Sequence, residues 1–252
     1  MIALAILVLG AFSFKSLGTN LLELRPGQGH RGPGGTRSTA DMFEIDDAQT
    51  IAREISGVAA VAPVASQSTQ AIYGNENWST TVTGSSNAYL QVRNWTLEIG
   101  RKFTDGELRS GKAVCILGNT VRKELFGGQD PLDATIRLEK LSCKVIGVLK
   151  SKGQSSFGTD RDDFVLVPLR MLQRRIAGNT DVSAISISAR DGISTEKIEQ
   201  DIERLMRERR RILPGKDDDF HVRNMEELVS ALTGTTKVLT GLLGAVAAVS
   251  LL

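Results

Sequence analysis

Histidine, cysteine and aromatic side chains are scarce in this chain, and each scarcity removes a class of function. Only two histidines occur in 252 residues, which leaves few candidates for a general base or a metal ligand. His30 lies in a Gly/Pro-rich stretch with no second ligand near it, and His221 alternates with Phe220 and Val222 in a strand-like run. The two cysteines, Cys115 and Cys143, sit inside the apolar runs AVCIL and SCKVIGVL, without C-x-x-C or metal-ligand spacing. They read as buried structural thiols; sequence alone leaves a disulfide between neighbouring strands open. Aromatics make up 5% of the chain and the net charge is +2. That is too little stacking surface and too weak a field for a nucleic-acid partner.

A phosphate-binding loop is absent as well. Residues 113–138 read AVCILGNTVRKELFGGQDPLDATIRL, with a strand-like lead-in, three glycines and a basic pair. A phosphate loop needs G-x-x-x-x-G-K-[ST], because backbone N–H groups, lysine and hydroxyl each hold a different part of the nucleotide. No lysine follows Gly127 or Gly128, and no G-x-G-x-x-G is present. Carboxylates are plentiful but clustered in polar runs: Asp160, Asp162 and Asp163 with Arg161, and Asp217 to Asp219. The DRDD run lacks the glycine and distal glutamate of a calcium loop. No catalytic, cofactor-binding or metal-binding residue is assigned, and no cofactor is expected in this chain.

Long uncharged runs, by contrast, stand at both ends. Residues 1–14 and 238–252 carry no charge. Each is shorter than the twenty or so apolar residues of a membrane span, and each is cut by an end of the chain. A signal peptide would explain the first run, but it has no basic leader. Amphipathic core helices would show polar residues at helical spacing, and these runs are apolar all round. Two truncated transmembrane helices account for both, and the Gly/Ala-rich second run suits packing in lipid.

Between the ends, residues 15–40 form a linker whose second half is rich in Gly, Pro and Arg. EIDDAQTIAREISG predicts a short helix capped by Asp46 or Asp47, with Ile51 and Ile55 on one face and Gly57 at its stop. Residues 58–84 alternate as a strand pair turning at Gly74-Asn75-Glu76-Asn77, with Trp78 as a rim residue. AVCIL predicts a buried strand, TVRKELF a two-turn helix and Gly127-Gly128 its end. ATIRL, CKVIGVLK and FVLVP follow as strands, and LRMLQRRIAG as a short helix. VSAISISAR is a further strand. STEKIEQDIERLMRERRRIL predicts a helix capped by Ser194 or Thr195, with Ile198, Ile202 and Leu205 buried. Its RERRR end suits the negative pole of the helix dipole better than a nucleic acid. DDDFHVRNMEELVSALTG gives a last strand and a short helix. The organisation is α+β and discontinuous: 41–90 and 183–225 form one αβ unit of split βαβ type. A strand-rich α/β unit, 91–182, is inserted between them. A connecting helix and the second apolar run occupy 226–252.

Several of these stretches, in this order, resemble one family. SLGTNLLELRPG at 16–27 resembles the start of the large extracytoplasmic loop in MacB-type ABC transporter permeases. The 113–138 stretch is similar to that family's LG-x-T-x-x-x-L-F and DP-x-G-x-x-I. The matching residues are Leu117-Gly118, Thr120, Leu125-Phe126, Asp130-Pro131 and Ile136. GRKFTDGE, KVIGVLK, VLVPL, ISISA and DDDFHV also fall in the family's order. One departure is Asp133, where the family usually has glycine; aspartate tolerates a positive φ better than most residues. The resemblance implies a porter-like αβ domain flanked by transmembrane helices, in the periplasm or outside the cell. It also implies a homodimer, a cytosolic ATP-binding domain or subunit, membrane lipid, and cooperation with a periplasmic adaptor protein and an outer-membrane exit duct. The cargo would be drugs, peptides or similar amphiphiles. A permease of the lipoprotein-releasing type is the nearest alternative. An anchored binding module and an extracytoplasmic enzyme are alternatives of other classes.

Overall fold

The computed structural model describes residues 20–27, 40–155 and 159–224. The apolar runs, the His30 loop and the connecting helix expected after residue 225 lie outside the described residues. Ten strands join into one sheet: β1 (Leu21–Pro26), β2 (Val58–Tyr73), β3 (Glu76–Ser85), β4 (Leu97–Gly100), β5 (Val114–Leu117), β6 (Thr135–Leu138), β7 (Leu141–Leu149), β8 (Phe164–Pro168), β9 (Ala184–Ala189) and β10 (Phe220–Asn224). Along the sheet the order is β10-β1-β9-β2-β3-β8-β5-β7-β4, with β6 bridging β2 and β7. Among the described residues six α-helices accompany it: α1 (Ile45–Glu54), α2 (Asn87–Val92), α3 (Asp105–Ser110), α4 (Asn119–Phe126), α5 (Leu169–Leu172) and α6 (Thr195–Arg209).

The long strand β2 is shared by both parts of the sheet. Its residues 58–64 pair with β9, and residues 65–73 pair with β3. β3 in turn pairs in parallel with β8 of the inserted stretch. Strand alternation divides the apolar side chains between two faces. Leu22, Leu24, Ile185 and Ile187 join Ile51 of α1 and Ile198, Ile202 and Met206 of α6 in the large core. On the opposite face Leu21 and Ala62 meet Val92 of α2. A second core gathers Trp95, Phe103, Ile116, Leu149 and Leu166 under the α2 and α3 segments.

Several local expectations shift by a residue or an element. The linker stretch contains β1, which pairs with β9 on one side and β10 on the other. Its LLEL sequence is strand-like, but only those two neighbours make it a central strand. The α1 cap is Glu44, and Asp47 instead accepts the Glu44 N–H at 2.9 Å. On α6, Ser194 caps the helix, and Met206 takes the buried position while Leu205 is half-buried. LRMLQRRIAG begins as one α-helical turn and widens into a π-turn over Gln173–Ala177.

Candidate functional site

The stretch at 113–138 is built for shape. β5 is buried at all four residues, Gly118 caps α4, and Gly127 ends it at φ 54°. The place where a phosphate would sit at the start of α4 is already filled with oxygen atoms. Gly118 N–H donates to Phe164 O at 2.9 Å. Thr120 Oγ1 donates to Asp160 Oδ2 at 2.6 Å. A phosphate placed there would meet a carboxylate and the backbone carbonyls of Asp162 and Phe164. After the helix, Asp130 Oδ1 accepts from Leu132 N–H at 3.0 Å and turns the chain into β6. Asp133 stands at φ 61°, the positive value its position demanded, and its carboxylate pairs with Lys144 at 2.8 Å. That hydrogen bond holds the Asp133 carboxyl below the usual range.

The acidic DRDD loop is a set of structural acceptors. Asp162 is 3% exposed and accepts from Ser151 Oγ, Lys152 N–H and Gly153 N–H. Asp160 Oδ1 accepts from Asp162 N–H, and Asp163 Oδ1 accepts from Trp78 Nε1 at 3.0 Å. Lys152 donates from Nζ to Arg93 O at 2.8 Å and lies 4.6 Å above the Trp95 ring. Burial and the Arg161 and Arg93 charges lower its pKa. Among the described residues no cluster of His, Cys, Asp and Glu could hold a metal ion. Cys115 and Cys143 are free, fully buried thiols on neighbouring strands; burial, then the contact with Cys143, pushes the Cys115 thiol well up.

An open cleft of about 280 Å³ lies beside β4, lined by Arg101, Glu107, Lys112, Asp133 and Lys144 among others. Its charges are paired. Glu107 takes both guanidinium nitrogens of Arg101 at 2.8 Å, and Lys112 Nζ stands 3.6 Å away. It also closes a capping box with Thr104 at the start of α3. The Arg101 hydrogen bond leads, against burial, in holding the Glu107 carboxyl at about 2. So weak a base cannot serve proton transfer near neutral pH, and the arrangement is a bracket for α3.

The bracket does imply acid sensitivity. The folded value lies below the unfolded one, so the stabilisation is complete above pH 4.5 and disappears as pH falls from about 4.5 to about 2. Arg101 is half exposed, and solvent screening trims the contribution to on the order of 2 kcal/mol. Glu107→Gln should lower the melting temperature at pH 7, and its gap to the parent should narrow clearly by pH 3 on the way to closing near pH 2. Parallel melting curves at both pH values would remove this assignment.

The end of the sheet that carries β1 and β10 is organised differently. The two strands are antiparallel neighbours, with Leu22 opposite Asn224 and Pro26 opposite Phe220. The chain therefore enters and leaves the described sheet side by side, at one end. At the other end of these strands three arginines of RERRR bind acids at the start of α1 and in the Asp217–Asp219 run. Arg209 pairs with Asp46 and Asp47 at 2.7 and 2.9 Å, Arg210 with Asp219 at 2.6 Å, and Arg207 with Asp218. Arg210 also covers the Phe43 ring at 4.7 Å. On the opposite face Glu23, 6% exposed, is held by Arg25 at 3.0 Å and Arg93 at 2.9 Å. Burial works to raise its pKa, and the Arg25 hydrogen bond with the Arg93, Arg25 and Arg223 charges brings it below the usual range.

A family model described as the MacB-like periplasmic core domain matches residues 1–205. The chain belongs to that family. Two relatives, both described as macrolide export ATP-binding/permease protein MacB, are similar over most of its length. That of Bdellovibrio bacteriovorus is 37% identical across 94% of this chain and 36% of the relative. That of Chlorobium luteolum is 35% identical across 92% of this chain and 35% of the relative. The chain thus spans about a third of the length of the curated relatives it matches. The periplasmic region of MacB from Actinobacillus actinomycetemcomitans has the same fold. Its TM-score is 0.72 at 22% identity, over 88% of this chain and 97% of that one. The extracellular domain of the ABC-type transporter YknZ from Gram-positive bacteria gives 0.64 at 24% identity, over 81% and 100%. As a MacB-like periplasmic core domain, the chain has an α+β fold in agreement with the sequence reading. Among the described residues no helix is long and apolar enough to cross a membrane.

Proposed function

We propose that this domain is the extracytoplasmic moving part of an ATP-driven export permease. The adjacent entry and exit of the chain at β1 and β10 carry this reading. Two flanking segments that leave side by side can act as a pair of levers on one edge of a rigid sheet, and rigid-body rotation about such an edge is a standard means of transmission. In this reading residues 1–14 and 238–252 belong to transmembrane helices in the inner membrane. An ATP-binding domain or subunit in the cytosol drives them, two copies work as a homodimer, and a periplasmic adaptor protein and an outer-membrane duct carry the cargo onward. The cargo class is drugs, peptides or similar amphiphiles. The chain itself contributes no catalysis.

Two measurements test this. A cysteine replacing Asn75, at the exposed β2–β3 turn, is expected to react with an impermeant maleimide once the outer membrane alone is permeabilised. Labelling that requires rupture of the inner membrane would remove the assignment. Cells lacking the full-length protein should become several-fold more sensitive to amphiphilic drugs. The full-length gene should restore resistance, and one lacking residues 41–223 should not. Unchanged sensitivity across a panel of amphiphiles would refute the export role.

A further inference from the structure

The start of β1 and the end of β10 attach to one short piece of chain. Asn20, just before β1, accepts the Ala189 N–H on its carbonyl at 2.9 Å. Its side chain donates from Nδ2 to Asp191 Oδ1 at 3.1 Å. Asn224, the last residue of β10, donates from Nδ2 to Thr195 Oγ1 at 3.0 Å and to Glu199 Oε2 at 3.5 Å. Asn224 is 7% exposed and Thr195 4%, so water cannot readily replace that bond. The four partner residues, Ala189, Asp191, Thr195 and Glu199, all belong to the β9–α6 junction.

The junction is itself tied down. Arg190 N–H donates to Gly57 O at 2.7 Å, and its Nε donates to Val58 O at 3.2 Å, at the α1–β2 turn. From the junction α6 runs across the core through Ile198, Ile202 and Met206 to the arginine pairs with Asp46 and Asp47. Ser194 caps the helix, and the Thr195 hydroxyl beside it accepts from Asn224.

We propose that the β9–α6 junction, residues 189–199, is the joint through which both flanking segments turn the domain, with Asn20 and Asn224 as positioning residues. A displacement of either segment reaches the same junction and passes along α6 into the sheet, so the domain rotates as one body. This rests on the coupling reading above.

The test uses the full-length protein in membranes with its ATP-binding component. Spin labels on cysteines replacing Glu227 and Glu76 report the distance from the leaving segment to the exposed β2–β3 turn. Buried Cys115 and Cys143 stay unlabelled. The parent should give one narrow distance distribution with ATP and with ADP. Asn224→Ala should at least double its width, and export per ATP hydrolysed should fall about fivefold, with hydrolysis itself unchanged within twofold. Should Asn224→Ala fail to fold, Thr195→Val removes the acceptor of the same bond from a helix that keeps its Ser194 cap, and the same changes are expected. A narrow distribution in folded variants would overturn the joint, whatever the export. A parent that hydrolyses ATP without exporting would sink the coupling reading alone, while the distance widths would still decide the joint.

Discussion

Gly118→Ala is expected to cost on the order of 3 kcal/mol of stability, a drop of about 6–12 °C in melting temperature for a domain of this size. The cause is steric. Gly118 has φ −70° and ψ 157°, a conformation alanine adopts freely, so no backbone strain is involved. A Cβ there would stand 2.1 Å from Asp162 O, 2.9 Å from Asp162 C and 3.0 Å from Phe164 O. All three are backbone atoms at the start of β8, and they cannot swing aside as a flexible side chain would. Relief requires β5 and β8 to part at Leu117 and Val165, both fully buried. Gly128→Ala is the control: nothing lies within 4 Å of its Cβ position, so stability should change by less than about 1 kcal/mol. If both variants melt together with the parent, the close approach at Gly118 is not what the sequence is built around.

Removing the Asp162 carboxylate should cost about as much, on the order of 3 kcal/mol for Asp162→Ala. Its oxygens are the acceptors for Lys152 N–H and Gly153 N–H as well as for Ser151 Oγ. Without them two part-buried backbone donors lose their partner, and each such loss costs up to about 1–3 kcal/mol. Asp162→Asn keeps one carbonyl oxygen and should recover roughly half of the loss. The loss should also appear as faster amide exchange at residues 151–153. Exchange that is unchanged in Asp162→Ala would show that water replaces the carboxylate and would reject the assignment. The two predictions are linked: Asp162 holds in place the carbonyl that leaves no room for a side chain at 118.

The elements read correctly from sequence share a local cause. The α6 stripe and the β2–β3 alternation repeat an apolar residue at the period of the element, AVCIL is an unbroken apolar run of strand length, and neighbours within a few residues suffice to reveal each. Gly118 and Gly127 announce the ends of α4 in the same way, and Asp133 keeps a positive φ where the resemblance expects glycine. What stayed hidden was short or depended on remote partners. The helices α2 and α3 have six residues each and β4 has four, too few to display a period. LLEL at 21–24 is strand-like, yet its central place is set by β9 and β10, more than 150 positions away in the chain.

The site shows the same division. Composition and spacing alone argued against a phosphate loop, a metal cluster with histidine or cysteine ligands, and a nucleic-acid surface, because each calls for residue types the chain has few of or places elsewhere. They also supplied the ordered stretches that resemble the MacB-type permeases. Tertiary structure alone decided that Asp162 is buried and that Thr195 serves Asn224 rather than capping α6. It alone decided that the RERRR arginines meet Asp46 and Asp47 from one direction and Asp218 and Asp219 from the other. It also placed the first and last described strands side by side. A local pattern is fixed by rotation and rise along one segment, whereas a contact between residues 20 and 191, or 195 and 224, exists only after ten strands have found their order.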